Sequence, residues 1–361
     1  MPTSLVRSNA LRKRSRSVNL LGQSGKAQAS SPLRLGWIPY WNLLPLRQEL
    51  ERLLGPELEF HRGHPAQVNK WLAEAKIQLA PSSSVCLVKN SAMEVAVPVG
   101  IASLGPVLSV YLGLHQDDGE LTELLHRRQA LLRKIFKIAL QRYEGDVRSA
   151  ANYIFTAADA LPPVPTEKVP VLSVTPASAT STQLARILYR LWFGEANYEQ
   201  RAGSSSGLSA VVSTMRPIDL LIGDEALVKR PAYRSVIDLS EIWRDLTDLP
   251  FVFAVWQCSK RPLSTQWRQK IIEAAELAQA RMHVEPSHYF PDPMVVDMHG
   301  SAIDLAAYWR GIQYRLGPSH FRGLALFLAL TRAMQPSAID DQAVVKMMRW
   351  ESYGQMTMPS N

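Results

Sequence analysis

The chain has 361 residues, of which 47% are hydrophobic and 20% charged, and a formal net charge of +8 at neutral pH. This is an ordinary globular composition, long enough for two domains or one two-lobed unit with a substantial core. It excludes a membrane-spanning helix, since no apolar run approaches the roughly 18–20 residues required. It also excludes a disulfide-stapled scaffold, since Cys86 and Cys258 are the only cysteines.

The charge is concentrated at the start. Arg7, Arg12, Lys13, Arg14, Arg16 and Lys26 face no acid within residues 1–30, so the rest of the chain is close to neutral. A nucleic-acid partner would need a basic excess on the folded part, and none is present. Residues 1–32 are Ser-rich and lack the apolar core of a secretory signal, and read as a disordered extension. The cysteine usage fits a reducing, cytoplasmic compartment.

From Leu33 onward strands and helices alternate. "LRLGWIPYW" reads as a strand. Leu46, Leu50, Leu53 and Leu54 then follow at helical spacing, with Pro45 in the first turn, where a missing N–H costs nothing. "ELEFHRG" predicts a strand, "HPAQVNKWLAEA" a helix, "KIQLAP" a strand and "SSSVCLVKN" a helix start. "MEVAVPVGIAS" and "GPVLSVYLGL" predict two further strands. Residues 115–167 are strongly helical and then Pro-rich, as in a helical insertion closed by a linker. Strand and helix resume with "VPVLSV", "SATSTQLARILYRLWFG" and "PIDLLIGDEALVKR". "LSEIWRDLTDLPFVFAVWQC" reads as helix, turn and strand. From Thr265 the chain is mainly helical, with "DPMVVDMHGSAIDL" irregular. The alternation predicts an α/β fold whose ligand groups lie at strand ends.

Several motifs carry no chemistry. His61 and His64 lack further ligands at metal spacing, and His283, His288 and His299 sit in a Pro-rich stretch. Ser205 in "GSSSG" (203–207) matches G-x-S-x-G, but the polar "EANYEQRAG" before it reads as loop, not the strand a nucleophile elbow needs. There is no Gly-rich phosphate cradle. No metal and no cofactor is expected.

What remains is a set of small polar residues at strand-to-helix junctions: Asn42, Ser83 and Ser84, Ser103, Gly105 and Ser109, Ser178, Thr180 and Ser181, Gly223 and Asp224. Thr180-x-x-Gln183 fits a capping box. Each junction alone reads as a helix cap, and Asp224 as the cap of the helix it opens. Together they suggest helix N-termini converging on one cleft, where free N–H groups and the positive dipole end suit a carboxylate.

In this order, the pieces "RLGWIPYWNLLPL", "HPAQVNKWLAEAKIQLAPSSSV", "GPVLSV", "SATSTQLARIL", "DLLIGDEALV", "DLSEIWRDLTDLPFVFAVW" and "YRLGPSHFRGLALFL" resemble the chorismate dehydratase family of the futalosine route to menaquinone. The resemblance spans roughly residues 33–114 and 168–330. It differs at Leu43, where the family commonly has Thr, at Ala179, where Arg is common, and at Asp248, which replaces a Gly. It implies a two-lobed fold like periplasmic binding proteins of the second type, with a helical insertion. Lobe 1 would comprise 33–114 and 251–330, lobe 2 residues 168–250, and 331–361 a C-terminal helical extension. It implies a cytoplasmic lyase that removes water from chorismate to give 3-[(1-carboxyvinyl)oxy]benzoate. Asn42, Ser109 and Asp224 are then the catalytic candidates. Ser83, Ser84, Ser103, Gly105, Ser178, Thr180, Ser181 and Gly223 are the binding candidates. The partner is a small molecule, with no nucleic acid and no membrane; the oligomeric state is left open. The alternatives are a non-catalytic small-carboxylate binding protein of the same fold, or a sister enzyme of the same route, which a catalytic histidine in the cleft would favour.

Overall fold

The computed structural model describes residues 32–90, 93–115, 118–194, 198–200, 217–259, 263–290, 294–296 and 302–335. The basic tail up to Ser31, the "GSSSG" stretch, His299 and the extension beyond Gln335 lie outside the described residues.

The chain opens with β1 (Leu33–Trp37), a single 3-10 turn at Trp41–Leu43, and α1 (Leu44–Leu54), which carries Pro45 in its first turn. There follow β2 (Leu58–Arg62), α2 (Pro65–Ala73), β3 (Leu79–Ser83), α3 (Cys86–Lys89) and β4 (Met93–Ser103). The next strand, β5 (Val110–Leu114), belongs to a different sheet. It leads into the long α4 (Gly119–Arg142) and α5 (Val147–Asp159), capped by Asp118 and Asp146. Then come β6 (Val171–Val174), α6 (Ala179–Phe193), β7 (Tyr198–Gln200), β8 (Pro217–Ile222), α7 (Gly223–Lys229), β9 (Ser235–Asp238) and α8 (Leu239–Thr247). The chain returns through β10 (Phe251–Ser259), α9 (Thr265–Val284), β11 (Met294–Val296), β12 (Ala302–Asp304), α10 (Leu305–Arg310), β13 (Gln313–Arg315) and α11 (Pro318–Met334).

Six strands form one mixed sheet in the order β13-β4-β10-β3-β1-β2, and five form a second in the order β7-β6-β8-β5-β9. In the first, β1 runs parallel to β2 and β3, while β10 is antiparallel to β3 and β4. In the second, β6 runs parallel to β7 and β8, and β5 is antiparallel to β8 and β9. The stretch read as irregular holds a small antiparallel pair, β11 with β12. Its short runs show no sustained alternation.

The chain crosses between the sheets twice. The outward crossing, residues 104–109, falls almost wholly in "GPVLSVYLGL" (105–114), read from sequence as one strand of the first lobe. Its β5 end pairs wholly with β8 and β9, so the passage into the second sheet precedes Val110 rather than following Leu114. The reason is backbone geometry: Gly105 at φ +111° and Leu108 at φ +63° break the extended run. Asp238, the cap of α8, holds this bend. Its carboxylate accepts from the backbone N–H groups of Val107 (2.9 Å), Leu108 (2.8 Å), Ser240 (3.0 Å) and Glu241 (3.2 Å). The return crossing starts at Asp248, in the left-handed region at φ +56°, where α8 ends. A glycine suits that conformation best and aspartate tolerates it.

The predicted insertion is built into the core. Leu132, Phe136, Ala139, Ala151 and Ile154 on α4 and α5 are fully buried. The two helices pack on each other, α4 against α6 and α8, and α5 against α11. Polar ties add direction: Gln129 donates to Asp245 at 2.9 Å, Arg133 pairs with Asp245 at 2.6 Å, and the Trp192 indole donates to Gln129 at 3.2 Å. Cys86 and Cys258 are both free thiols. No described helix is long and apolar enough to cross a membrane.

Two predictions follow from this packing. Asp238→Ala strands four backbone donors and is expected to lower unfolding free energy by on the order of 2 kcal/mol, measured by urea titration. His320 accepts from the Gly317 N–H through Nδ1 (3.1 Å) and faces the Gln313 side-chain oxygen through Nε2 (2.9 Å). Burial holds this imidazole down at about 4. The unfolded chain therefore binds the proton first, and the contribution of neutral His320 is whole above about pH 6.5 and lost as pH falls toward 4. His320→Gln should flatten the stability loss between pH 7 and pH 5 by on the order of 1–2 kcal/mol.

Candidate functional site

A cavity lies at the seam of the two sheets. The space among its lining residues amounts to about 640 Å³, part of it continuous with solvent. One wall comes from the segment after β1, with Ile38, Tyr40, Asn42 and Leu43, and from Pro81 and Ser83 of β3. The floor includes Ile101 of β4 and Phe253 and Ala254 of β10. The opposite wall holds Val107 and Ser109 of the outward crossing, Val110 at the start of β5, Ala177, Ser178 and Ser181 at the start of α6, and Ile222 and Gly223 at the start of α7.

Six of the eleven junction residues singled out in the sequence line this space: Asn42, Ser83, Ser109, Ser178, Ser181 and Gly223. Ser178 caps α6, accepting from the Ser181 N–H at 3.2 Å, while the two hydroxyls lie 3.0 Å apart. The expected capping box at Thr180 and Gln183 does not form, because the helix begins at Ala179 and Thr180 is already inside its first turn. The first turn of this 15-residue helix thus meets the cavity with its positive dipole end.

Ser109 is carried in by the bend that Asp238 holds. Its carbonyl accepts from the Gly223 N–H at 2.8 Å, and its hydroxyl accepts from the Tyr308 hydroxyl at 3.0 Å. Gly223, at φ +60°, lies under the Tyr40 ring, with 3.4 Å between the ring and the place a Cβ would take. Asn42 caps no helix: neither the 3-10 turn nor α1 has a side-chain cap. Its backbone carbonyl accepts from the Tyr314 hydroxyl at 2.7 Å, and its Oδ1 is buried with no protein partner.

The other five do not line the cavity. Ser84 donates to the Val252 carbonyl at 2.7 Å and Ser103 to that of Gly105 at 3.0 Å, both buried. Gly105 shapes the bend. Thr180 and Asp224 join the sheets instead. The Thr180 hydroxyl accepts from the Val85 N–H at 3.2 Å, and Asp224 Oδ1 accepts from the Trp41 N–H at 3.0 Å. Asp224 is therefore not the cap of α7, which has no side-chain cap. Burial pushes its carboxyl up to about 6, against the pull of the Trp41 N–H. Burial also raises the Tyr40 phenol, with Asp224 and Glu225 nearby adding to it.

Local pattern carried no sign of the aromatic support behind Asn42 and Ser109. Tyr308 and Trp309 of α10 and Tyr314 of β13 reach Ser109, the Trp41 carbonyl (2.9 Å) and the Asn42 carbonyl. They lie more than 190 positions away in sequence, and only Tyr40, two residues from Asn42, was within reach of local reading. Apart from the Tyr40 phenol, no titratable side chain is among the lining residues. Among the described residues no group of three or more His, Cys, Asp or Glu is placed to hold a metal.

The model of a family described as menaquinone biosynthesis matches residues 33–150 and 154–333. The chain belongs to that family. The match runs through α4 and most of α5, so these helices are part of the family's own extent. Among solved structures, the ligand-binding component of an ABC-type import system from Staphylococcus aureus, with zinc bound, is 11% identical. It aligns over 87% of this chain and 96% of its own, with a TM-score of 0.52. A Candida albicans gene product with the generic periplasmic binding protein fold is 11% identical over 89% of this chain and 96% of its own, at 0.48. A protein from Archaeoglobus fulgidus is 12% identical over 91% and 99%, at 0.46. The family member described here has the two-lobed periplasmic-binding-protein fold.

The Asp224 link makes a prediction with a defined sign. Its raised carboxyl, about 6 against 3.8, means that ionisation penalises the folded state as pH rises through that window. Asp224→Asn keeps an oxygen for Trp41 and should gain on the wild type by on the order of 1–3 kcal/mol between pH 4 and pH 7 in urea unfolding. Asp224→Ala should lose about 1–2 kcal/mol at pH 4 by stranding the Trp41 N–H.

Proposed function

We propose that this member of the menaquinone biosynthesis family is a cytoplasmic hydro-lyase that converts chorismate to 3-[(1-carboxyvinyl)oxy]benzoate, the dehydration step of the futalosine route. One observation carries the proposal. The cavity offers hydroxyls, an amide and the start of a long helix against apolar walls, and the residues lining it include no His, Lys, Arg, Asp or Glu. That is a site for an anionic ring compound which brings its own reactivity. Chorismate has two carboxylates, an enolpyruvyl ether and a ring hydroxyl. Loss of a ring proton and the neighbouring hydroxyl makes the ring aromatic, so the reaction is strongly downhill.

The work left to the protein is to bind, orient and exclude water. Ser178, Ser181 and the first turn of α6 suit one carboxylate. Ile38, Ile101, Val110 and Phe253 suit the ring face. Asp224 is not among the lining residues and accepts from the Trp41 N–H, which speaks against it as the proton acceptor. A carboxylate of the substrate takes the ring proton, the C–H electron pair enters the ring, and the C–O bond breaks. The departing hydroxide leaves with that proton as water. Asn42 and Ser109 hold the geometry.

Incubating the purified protein with chorismate and separating the mixture should give the aromatic enol ether with no added cofactor. Asn42→Ala should reduce turnover by about 100-fold, the usual effect of removing one positioned polar group. Unchanged turnover would remove Asn42 from the mechanism. Binding of chorismate without product would instead favour a carboxylate-binding protein of this fold.

A further inference from the structure

Tyr40 brings the one titratable proton among the side chains that line the cavity. Its place is fixed from both sides of the seam. On its own side, the Tyr40 N–H donates to the Ile38 carbonyl at 2.9 Å, and the Tyr40 carbonyl accepts from the Leu43 N–H at 3.0 Å. On the other, the ring lies on Gly223, and its hydroxyl-bearing carbon is the atom nearest to where a Cβ would stand. Glycine at φ +60° leaves bare backbone there for the ring to rest on. The ring is thus held, but the hydroxyl is not. Tyr40 is half-buried, and its hydroxyl makes no hydrogen bond among the described residues; unlike the Asn42 Oδ1, it keeps accessible surface. A phenol at a cavity wall with nothing to bond is free to meet a ligand.

The surroundings decide which ligand atom suits it. At the start of α6, a 15-residue helix presents its positive end. The Ser178 and Ser181 hydroxyls share a single bond there, so one of their two protons is left to give. The Tyr40 side differs. The helix α7 has seven residues, and its first turn carries Asp224 and Glu225. Glu225 is offset by Lys229 at 2.5 Å. Asp224 makes no ion pair among the described residues, and its Oδ1 accepts at 3.0 Å from the N–H of Trp41, the residue after Tyr40. A ligand carboxylate beside Tyr40 would face a carboxylate already in place, whereas a neutral oxygen would not. Burial, and then the same two acids, hold the proton on the phenol. Tyr40 is therefore a donor and not a base.

We propose that Tyr40 is a catalytic residue, whose hydroxyl donates a hydrogen bond to a neutral ligand oxygen on the α7 side of the cavity while a ligand carboxylate lies at the start of α6. That this oxygen is the ring hydroxyl chorismate loses rests on the proposed function. The bond to it strengthens as the C–O bond breaks and charge gathers on the oxygen, so it lowers the barrier more than it aids binding. Tyr40 keeps its proton. The departing hydroxide takes the proton that the substrate carboxylate removed from the ring, and leaves as water.

Tyr40→Phe keeps the ring on Gly223 and takes a partner from no protein group, so its urea midpoint should match the wild type. Its kcat for chorismate should fall by about tenfold or more, with KM changed by less than about threefold. Benzoate and 4-hydroxybenzoate, titrated by calorimetry, test the contact without turnover. The second carries a hydroxyl across the ring from its carboxylate, as chorismate does; the first has none. The wild type should bind 4-hydroxybenzoate about fivefold more tightly than benzoate. In Tyr40→Phe that preference should vanish, with the affinity for benzoate unchanged. The proposal is overturned if the wild type binds the two acids equally or binds neither, or if the preference survives in Tyr40→Phe. Equal weakening of benzoate overturns it by placing a carboxylate at Tyr40, and a lowered urea midpoint does so by showing the hydroxyl bonded within the protein. Conversion of chorismate with unchanged kcat in Tyr40→Phe overturns the catalytic role. If the wild type makes no product yet the preference is present and lost as expected, the proposed function fails and the hydrogen bond from Tyr40 to a neutral ligand oxygen stands.

Discussion

The buried carboxylate of Asp238 is the constraint on which the site depends. Four backbone N–H groups converge on it, two from the bend at Val107 and Leu108 and two from the first turn of α8. The bend contains two residues at positive φ, which extended chain does not adopt without support. By holding it, Asp238 fixes where the chain leaves the first sheet and enters the second, and sets Ser109 between them. The cavity exists because β5 was moved into the second sheet while its preceding residues stayed at the seam.

Around that seam the polar groups divide by task. Ser109, Ser178, Ser181, Ser83 and Asn42 stay with the cavity, while Thr180 and Asp224 serve as acceptors for backbone N–H groups of the first sheet's junctions. The division follows from which backbone donors lacked a partner. Val85 and Trp41 sit where strand gives way to helix, and an N–H there has no ladder to join. A neighbouring side-chain oxygen from the opposite sheet meets the need, and so the two sheets are joined beside the cavity rather than through it.

The three positions at which the sequence was expected to depart from the family have definite physical places. Leu43 is buried against the cavity and Ala179 opens α6 beside it, so both present apolar side chains near the ligand space. Asp248 occupies the left-handed position that ends α8, where a glycine meets no steric penalty and aspartate a modest one. The helices α4 and α5, which read as an addition to the sequence pattern, bury Phe136 and Ile154 completely and pack on α6, α8 and α11.

Local pattern sufficed for much of this. The periods of two and 3.6, the proline in the first turn of α1 and the serine before α6 are short-range features, and they determined most strands, most helices and the junctions at which cavity residues sit. Six of the eleven junction residues reach the cavity because strand ends are where an α/β fold leaves backbone groups free. What local pattern did not contain was the partner of each group. Whether Asp224 caps a helix or meets Trp41 depends on a residue 183 positions away. What holds the Asn42 backbone beside the cavity is the hydroxyl of Tyr314, 272 positions away, which donates to its carbonyl. Those choices belong to the tertiary structure, because a hydrogen bond is settled by which donor arrives at the acceptor, and the arrivals are set by the packing of the whole chain.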